Sequence, residues 1–429
     1  MTISLKLESA ILQSSAQKEG AMRIGKTWTK ACAVLIALSC FLPVAARAQQ
    51  PPRYKFDPSW PKDLPNNWIL GHVEGVFVDK DDHIWILNNV PSTPADDAGA
   101  SQKPPLSECC TYAPAVLELD TDGNVLKAWG GLGQSPEWLM GGKAFYVDKG
   151  ENVWIGGGGG MGLAYIGYYT PSPDVSKKER SLASQVVKFT SDGKELIEIG
   201  HPRPADLPAN NQDTSILGGP YSMTMDEDAH EVYIGDGALN RRVVVYDSDT
   251  GAFKRGWGAY GIPLNEVDNF REPLYDPSKP ETHPQKHPYD PSAPPSKQFR
   301  GPVMGLKLSV DGLLYVCDRG NDRIQVFTKQ GKFVKEFFVA PKTLSIGSAQ
   351  DIAFSHDPEQ KYLLVADTEA DVIRILNRSD GTEVGTIGHK GHYGGQWDML
   401  DQIAVDSHGN LYTTEVKYND RIQRFILEK

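Results

Sequence analysis

One pattern recurs along this chain and leaves few ways to fold it. It is clearest over residues 301–338, GPVMGLKLSVDGLLYVCDRGNDRIQVFTKQGKFVKEFF. Four runs of strand character, 304–309, 313–317, 323–328 and 332–338, are separated by Asp311-Gly312, by the segment from Asp318 to Asn321, and by Gln330-Gly331. Ile324 and Val326 alternate with Arg323 and Gln325, the period of a half-buried strand. Two-residue spacers carrying glycine suit tight antiparallel hairpins. The unit is therefore a four-stranded antiparallel meander of about 40 residues, the size of one propeller blade.

Five more copies can be read in order. Blade one runs 75–79, 84–87, an insertion over 90–114, then 116–119 and 125–129. Blade two runs 144–148, 153–155, an insertion over 156–184, then 186–189 and 196–199. Blade three is 222–226, 232–235, 243–247 and 253–257, and a Pro-rich insertion over 258–300 precedes blade four, the unit above. Blade five is 351–355, 362–366, 372–376 and 383–387. Blade six has 402–406, 410–413 and 421–426, and then the chain ends without a fourth strand. The stretch from Arg53 to Asp57 can supply it, which joins the two ends of the chain and removes two exposed edges. The expected fold is all-β: a six-bladed β-propeller of four-stranded antiparallel blades, closed by an N-terminal strand. In a meander, loops between second and third strands leave from the same end as loops between blades. All three insertions therefore gather at one mouth of the central channel, where long loops on a rigid scaffold usually carry function.

Charge and the N-terminus suggest an address. Residues 1–48 hold Lys6, Lys18, Arg23, Lys26, Lys30 and Arg47 against Glu8 and Glu19, a net +4, so the rest is −15 within a total of −11. A body that acidic repels phosphate backbones and argues against nucleic acid as partner. Arg23, Lys26 and Lys30 precede a short apolar core from Ala31 to Val44, followed by Ala46-Arg47-Ala48, the pattern of a signal peptide with its cleavage site. Met22 is an alternative start, and Leu38-Ser39-Cys40 is a weaker lipoprotein alternative. The apolar run is too short for a membrane span. Residues 1–48 are expected to be a signal peptide and 49–429 the propeller, periplasmic or secreted. Three cysteines then remain. Cys317 ends a strand and reads as a buried small apolar residue. Cys109-Cys110 lies in a long loop, where an oxidising compartment allows a vicinal disulfide or a pairing elsewhere.

The segment D-R-G-N-D-R-I-Q-V-F at 318–327 resembles the NHL repeat, with partial copies at 236–243 and 418–422. Over residues 53–427 the body is similar to the NHL-type propeller of peptidyl-α-hydroxyglycine α-amidating lyases. Those enzymes cleave a hydroxyglycine-extended peptide to an amidated peptide and glyoxylate. The resemblance implies three His metal ligands at the starts of inner strands, an Arg after the second strand of blade one, and a Tyr in D-G-Y-x-N-x-R. This chain has Lys143, Met304 and Asp401 at the ligand positions, Asn89 at the Arg and Ala238 at the Tyr. Lys and Met cannot complete a zinc centre. The fold is expected to persist without the lyase centre, leaving Asn89, Lys143, Ala238, Met304 and Asp401 as candidate binding residues.

Lys143 and Asp401 both face the mouth. The weakness of exposed pairs favours two solvated rim charges over an ion pair whose ammonium stands in for the metal of the relatives. His72, His389 and His392 fall in loops of the same face, and a relocated zinc or calcium site with Asp401 or Glu415 is the weaker alternative. Gly157 to Gly162 formally fits GxGxxG but lacks the following helix, so it reads as a flexible lip. The aromatic cluster after it, with Tyr165 and Tyr168, either lines a ligand groove or covers the scaffold. Asp318, Asn321 and Arg323 recur from blade to blade and read as structural. The function expected is a ligand- or protein-binding module acting on a peptide, small molecule or protein through the loop-rich face. A metal-assisted lyase or hydrolase is the alternative.

Overall fold

Each repeat closes into its own antiparallel sheet, and the alternating pattern gives every sheet two faces to bury against its neighbours. The computed structural model describes residues 50–131, 142–157, 184–201, 208, 210–237, 239–269, 294–343 and 346–428. Blade one consists of His72–Val78, Ile84–Asn89, Val116–Leu119 and Val125–Trp129. Blade two is Gly142–Val147, Val153–Gly157, Gln185–Phe189 and Glu195–Gly200. Blade three is Pro220–Asp226, Glu231–Asp236, Arg242–Asp247 and Phe253–Trp257. Blade four is Val303–Leu308, Leu313–Asp318, Arg323–Thr328 and Phe333–Phe338. Blade five is Asp351–Phe354, Tyr362–Asp367, Val372–Asn377 and Glu383–Ile387.

Blade six is Leu400–Val405, Leu411–Glu415 and Ile422–Glu428, completed by Arg53–Phe56. Arg53 lies opposite Glu428 and Phe56 opposite Phe425 in an antiparallel register. The N-terminal strand is thus the missing fourth strand. Phe56 packs on Phe425, and Arg424 bonds Asp57 beyond the pairing. The inner strands neighbour one another in chain order, and the sixth packs on the first, closing the ring.

The core lies between blades. Trp85, Leu87 and Val116 of blade one pack with Phe145, Ile155 and Phe189 of blade two, and each further seam repeats this layering. Buried carboxylates hold the turns. Asp79 accepts from the backbone N–H groups of Asp81 and His83 and from Trp85 Nε1; Asp148 does the same in blade two, and Asp406 in blade six with Tyr412 OH in place of the indole. At the other end of the sheets, Arg323 Nε donates to Asp318 Oδ2 at 2.7 Å and Asn321 Nδ2 to the same oxygen at 2.8 Å. Asp236 with Asn240 and Arg242, and Glu415 with Asn419 and Arg421, repeat this arrangement. The Asp236–Arg242 and Asp318–Arg323 pairs are fully buried, whereas Arg421 is part-exposed against a buried Glu415, and all three tie second and third strands together.

One irregularity recurs and matters for function. In five blades the inner strand carries a register shift near its start, between Val73 and Gly75, Gly142 and Ala144, Pro220 and Ser222, Val303 and Leu306, and Leu400 and Ile403. Each inserts an extra residue on the inner strand. A bulge of this kind bends the strand and re-aims a side chain. The residues skipped include Glu74, Lys143, Tyr221, Met304 and Asp401.

Candidate binding site at the channel mouth

Three of the bulged residues, Glu74, Lys143 and Asp401, meet at the mouth. Lys143 Nζ bonds Glu74 Oε2 at 2.6 Å and also Asp401 Oδ2, so one ammonium from blade two joins carboxylates from blades one and six. The network continues outward. Gln350 Nε2 donates to Asp401 Oδ1 at 2.6 Å, and Arg319 Nη1 donates to Gln350 Oε1 at 2.6 Å. On the other side Asn89 Nδ2 donates to Glu74 Oε1 at 3.3 Å. His72 lies 3.8 Å from Glu74 through Nδ1 and 3.8 Å from Asp420 through Nε2. Five blades contribute to this chain of polar groups.

The preferred expectation of two solvated rim charges is therefore corrected. Lys143 is 7% exposed and Asp401 2%. The bulges turn both side chains inward, where neither could remain charged without a partner. Burial alone would lower the Lys143 pKa, but Asp401 and Glu74 raise it above its ordinary value, so the ammonium persists. Burial pushes the Asp401 carboxyl up against the pull of Lys143. Burial also opposes ionisation of Glu74, yet Lys143 and His72 together hold it below the usual carboxylate range.

His72 was expected in a loop. It opens the first strand of blade one instead, buried, with its backbone N–H bonded to Ser92 Oγ of the insertion. Burial lowers its pKa, but Glu74 and Asp420 reverse the sign and raise it. Asp420 is pushed up to about 6, first by burial. Three buried atoms in this corner, His72 Nδ1, Asn89 Oδ1 and Asp420 Oδ1, have no hydrogen-bond partner among the described residues.

The other candidates separate. Met304 is buried in the seam with Tyr221, and its carbonyl accepts from Ser222 Oγ. Ala238, Tyr165 and Tyr168 lie outside the described residues. His389 and His392 are exposed and do not join His72. Their loop is held through its backbone, by Arg421 bonding the carbonyls of His392, Tyr393 and Gln396, which leaves the imidazoles outside. His392 Nδ1 meets Asn419 Oδ1 at 3.2 Å. Glu415 is committed to Asn419, Arg421 and Gln423. Among the described residues, the group with metal-ligand proximity is Asp79, His83 and Glu118, at the turn end of blade one. Asp79 there is already taken by turn donors, and Lys127 sits 3.0 Å from Glu118.

Reasoning from the sequence missed Glu74, Gln350, Arg319 and Asp420. Glu74 had a usable signal, because it sits one residue before Gly75 as Lys143 sits one before Ala144 at the same point of the repeat. Beneath the network the channel narrows to a space of about 10 Å³ lined by Tyr221, Ser222, Met304, Gln350, Asp351 and Gln402. That is room for one water at most. Around the mouth, the insertion over 90–114 is tied down by a parallel bridge of Trp68–Ile69 with Thr111–Tyr112 and carries the Cys109–Cys110 disulfide. Cys317 is free and buried, as its strand position suggested. Leu106, Tyr393 and Tyr418 stand 66%, 79% and 64% exposed on loops of blades one and six.

No family model matches the chain, and no curated protein matches it in sequence. Similar solved structures include the virginiamycin B lyase of Staphylococcus aureus, at 13% identity and a TM-score of 0.43 over 88% of this chain and 90% of that one. A streptogramin B lyase is similar at 13% identity and a TM-score of 0.45, over 88% of this chain and 97% of that one. No residue role and no chemistry is carried over from either, and the fold of this chain is a six-bladed β-propeller on its own geometry.

Proposed function

We propose that this protein is an exported NHL-type propeller, distantly akin to the amidating lyases, that binds a ligand or protein partner at its loop-rich mouth. The observation that carries the reading is the corner between blades one and six. Three buried polar atoms, on His72, Asn89 and Asp420, await partners there, and Tyr418 lies two residues from Asp420. Exposed Tyr side chains at the rim of a buried polar corner that lacks hydrogen bonds are a surface a partner desolvates with gain. On the axis, Lys143 holds the place that the resemblance assigns to a metal ligand, and its charge already balances the carboxylates around it. Lys143 and Met304 at the positions the resemblance assigns to metal ligands weigh against a metal-assisted lyase or hydrolase.

Screening the purified protein against a random peptide library by fluorescence polarisation tests the reading. We expect saturable binding that Tyr393→Ser with Tyr418→Ser abolishes and that Val310→Ser, at the opposite end, leaves unchanged. Metal analysis and glyoxylate release from a hydroxyglycine peptide test the alternative on the same sample. One bound transition metal per chain together with glyoxylate formation would replace the binding reading with an enzymatic one. Export is supported by the charge and apolar pattern of residues 1–48, and N-terminal sequencing of protein from the cell exterior should begin near Gln49.

A further inference from the structure

The channel has a second opening, at the end away from the long loops, and it is built differently. The last residues of all six inner strands line a cup of about 370 Å³. Phe77 and Tyr146 form one wall, their rings 4.5 Å apart, and Phe354 stands among the opposite lining residues. Met223, Leu308 and Ile403 fill in between. At the floor is one cation, Lys307, which also lines the narrow space above. Its Nζ lies 3.9 Å from Asp351 Oδ2, too far for a hydrogen bond. Asp351 Oδ2 accepts from the Ile403 N–H instead, and burial raises that carboxyl above its usual range. No hydrogen bond to the Lys307 ammonium occurs among the described residues, so its donors face a cup in which aromatic and aliphatic side chains adjoin polar ones such as Thr224 and Ser355.

We propose that this cup is a second binding site, for a small aromatic carboxylate. The ring would lie between Phe77, Tyr146 and Phe354, and the carboxylate would accept from Lys307 Nζ. The volume is within the usual range for small-molecule pockets, which combine apolar and aromatic lining with a few placed polar groups. The rim also carries His356, Asp357 and Asp406. Both carboxylates are engaged: Asp406 takes the N–H groups of His408 and Asn410 with Asn410 Nδ2 and Tyr412 OH, and Asp357 takes Ser355 Oγ and the Lys361 N–H. They compete little for Lys307. The cup shares no lining residue with the network at the mouth, so it does not depend on the mouth reading.

Titration calorimetry with 2-naphthoate and its uncharged analogue 2-naphthylmethanol tests the site. Wild type should bind one naphthoate per chain, at least tenfold tighter than the alcohol. Lys307→Met should erase that preference, and Lys307→Arg should retain it. Phe354→Ala should weaken both probes. No saturable naphthoate binding at millimolar concentration, or equal naphthoate affinity in wild type and Lys307→Met, would overturn the proposal. If Lys307→Met fails to fold, the comparison of the two probes on wild type and Lys307→Arg still decides.

Discussion

The two ends of the channel are made from the same six inner strands, yet they treat charge in opposite ways. At the loop-rich end, Lys143 is nearly dry and bonded to Glu74 and Asp401, with Gln350, Arg319 and Asn89 completing the network. At the turn end, Lys307 is part-exposed, lacks a hydrogen bond among the described residues, and has apolar and aromatic neighbours. A buried charge surrounded by counter-groups fixes the arrangement of its blades. A charge left with open donors beside a cavity is available to a ligand. The difference arises in the register: bulges at the strand starts turn residues 74, 143 and 401 onto the axis, whereas the strand ends run regularly into their turns.

Removing Lys143 should break this contrast most severely. Lys143→Met leaves Glu74 and Asp401 facing each other in a dry site. We expect a loss of about 3–5 kcal/mol in urea denaturation, the range for breaking a buried pair by deleting one partner. A loss below about 1 kcal/mol would mean that water already enters the mouth and that the two ends are alike.

Asp322 gives an intermediate case at the loop-rich end. It is almost fully buried and accepts from the Ser348 N–H at 3.0 Å, while its Oδ2 has no partner. Burial first of all raises its pKa from 3.8 to about 7. The folded protein therefore keeps this proton to about pH 7, whereas the unfolded chain releases it near 3.8. Wild type loses the corresponding stability as pH rises between those values. Asn at 322 does not titrate and tolerates the left-handed backbone found there, φ 51°. Asp322→Asn should be more stable than wild type by about 1–3 kcal/mol at pH 8, and the gap should close by pH 4. A gap independent of pH would show that the carboxyl is solvated.

The smallest effect should come from the turn end. Lys307→Met should change stability by less than about 1 kcal/mol, since its one ion pair is long and part-exposed. A change as large as that of Lys143→Met would place Lys307 in the scaffold and remove the contrast altogether.

Much of the architecture was legible in the sequence. The blade pattern and the closing strand from Arg53 follow from period-two alternation and turn residues, which act locally, whereas most of the insertions at 156–184 and 258–300 lie outside the described residues. The recurring Asp–Asn–Arg set was legible as structure for the same reason. The site was legible only in part. Lys143, Asp401 and Asn89 could be placed at the mouth by their position in the repeat, but their burial could not, and the partner Glu74 went unnoticed. His72 was misplaced because strand and loop differ there by a few residues.

Local chemistry in the chain determines how many sheets form, how each is folded on itself and at which strand junctions the long insertions fall. Only the closed ring decides which charges are paired. Glu74 and Lys143 are 69 residues apart, and Lys143 and Asp401 are 258 apart. No local pattern encodes such a meeting. It exists because six bulged or tilted strands converge on one axis, where desolvation makes any unpaired charge unfavourable.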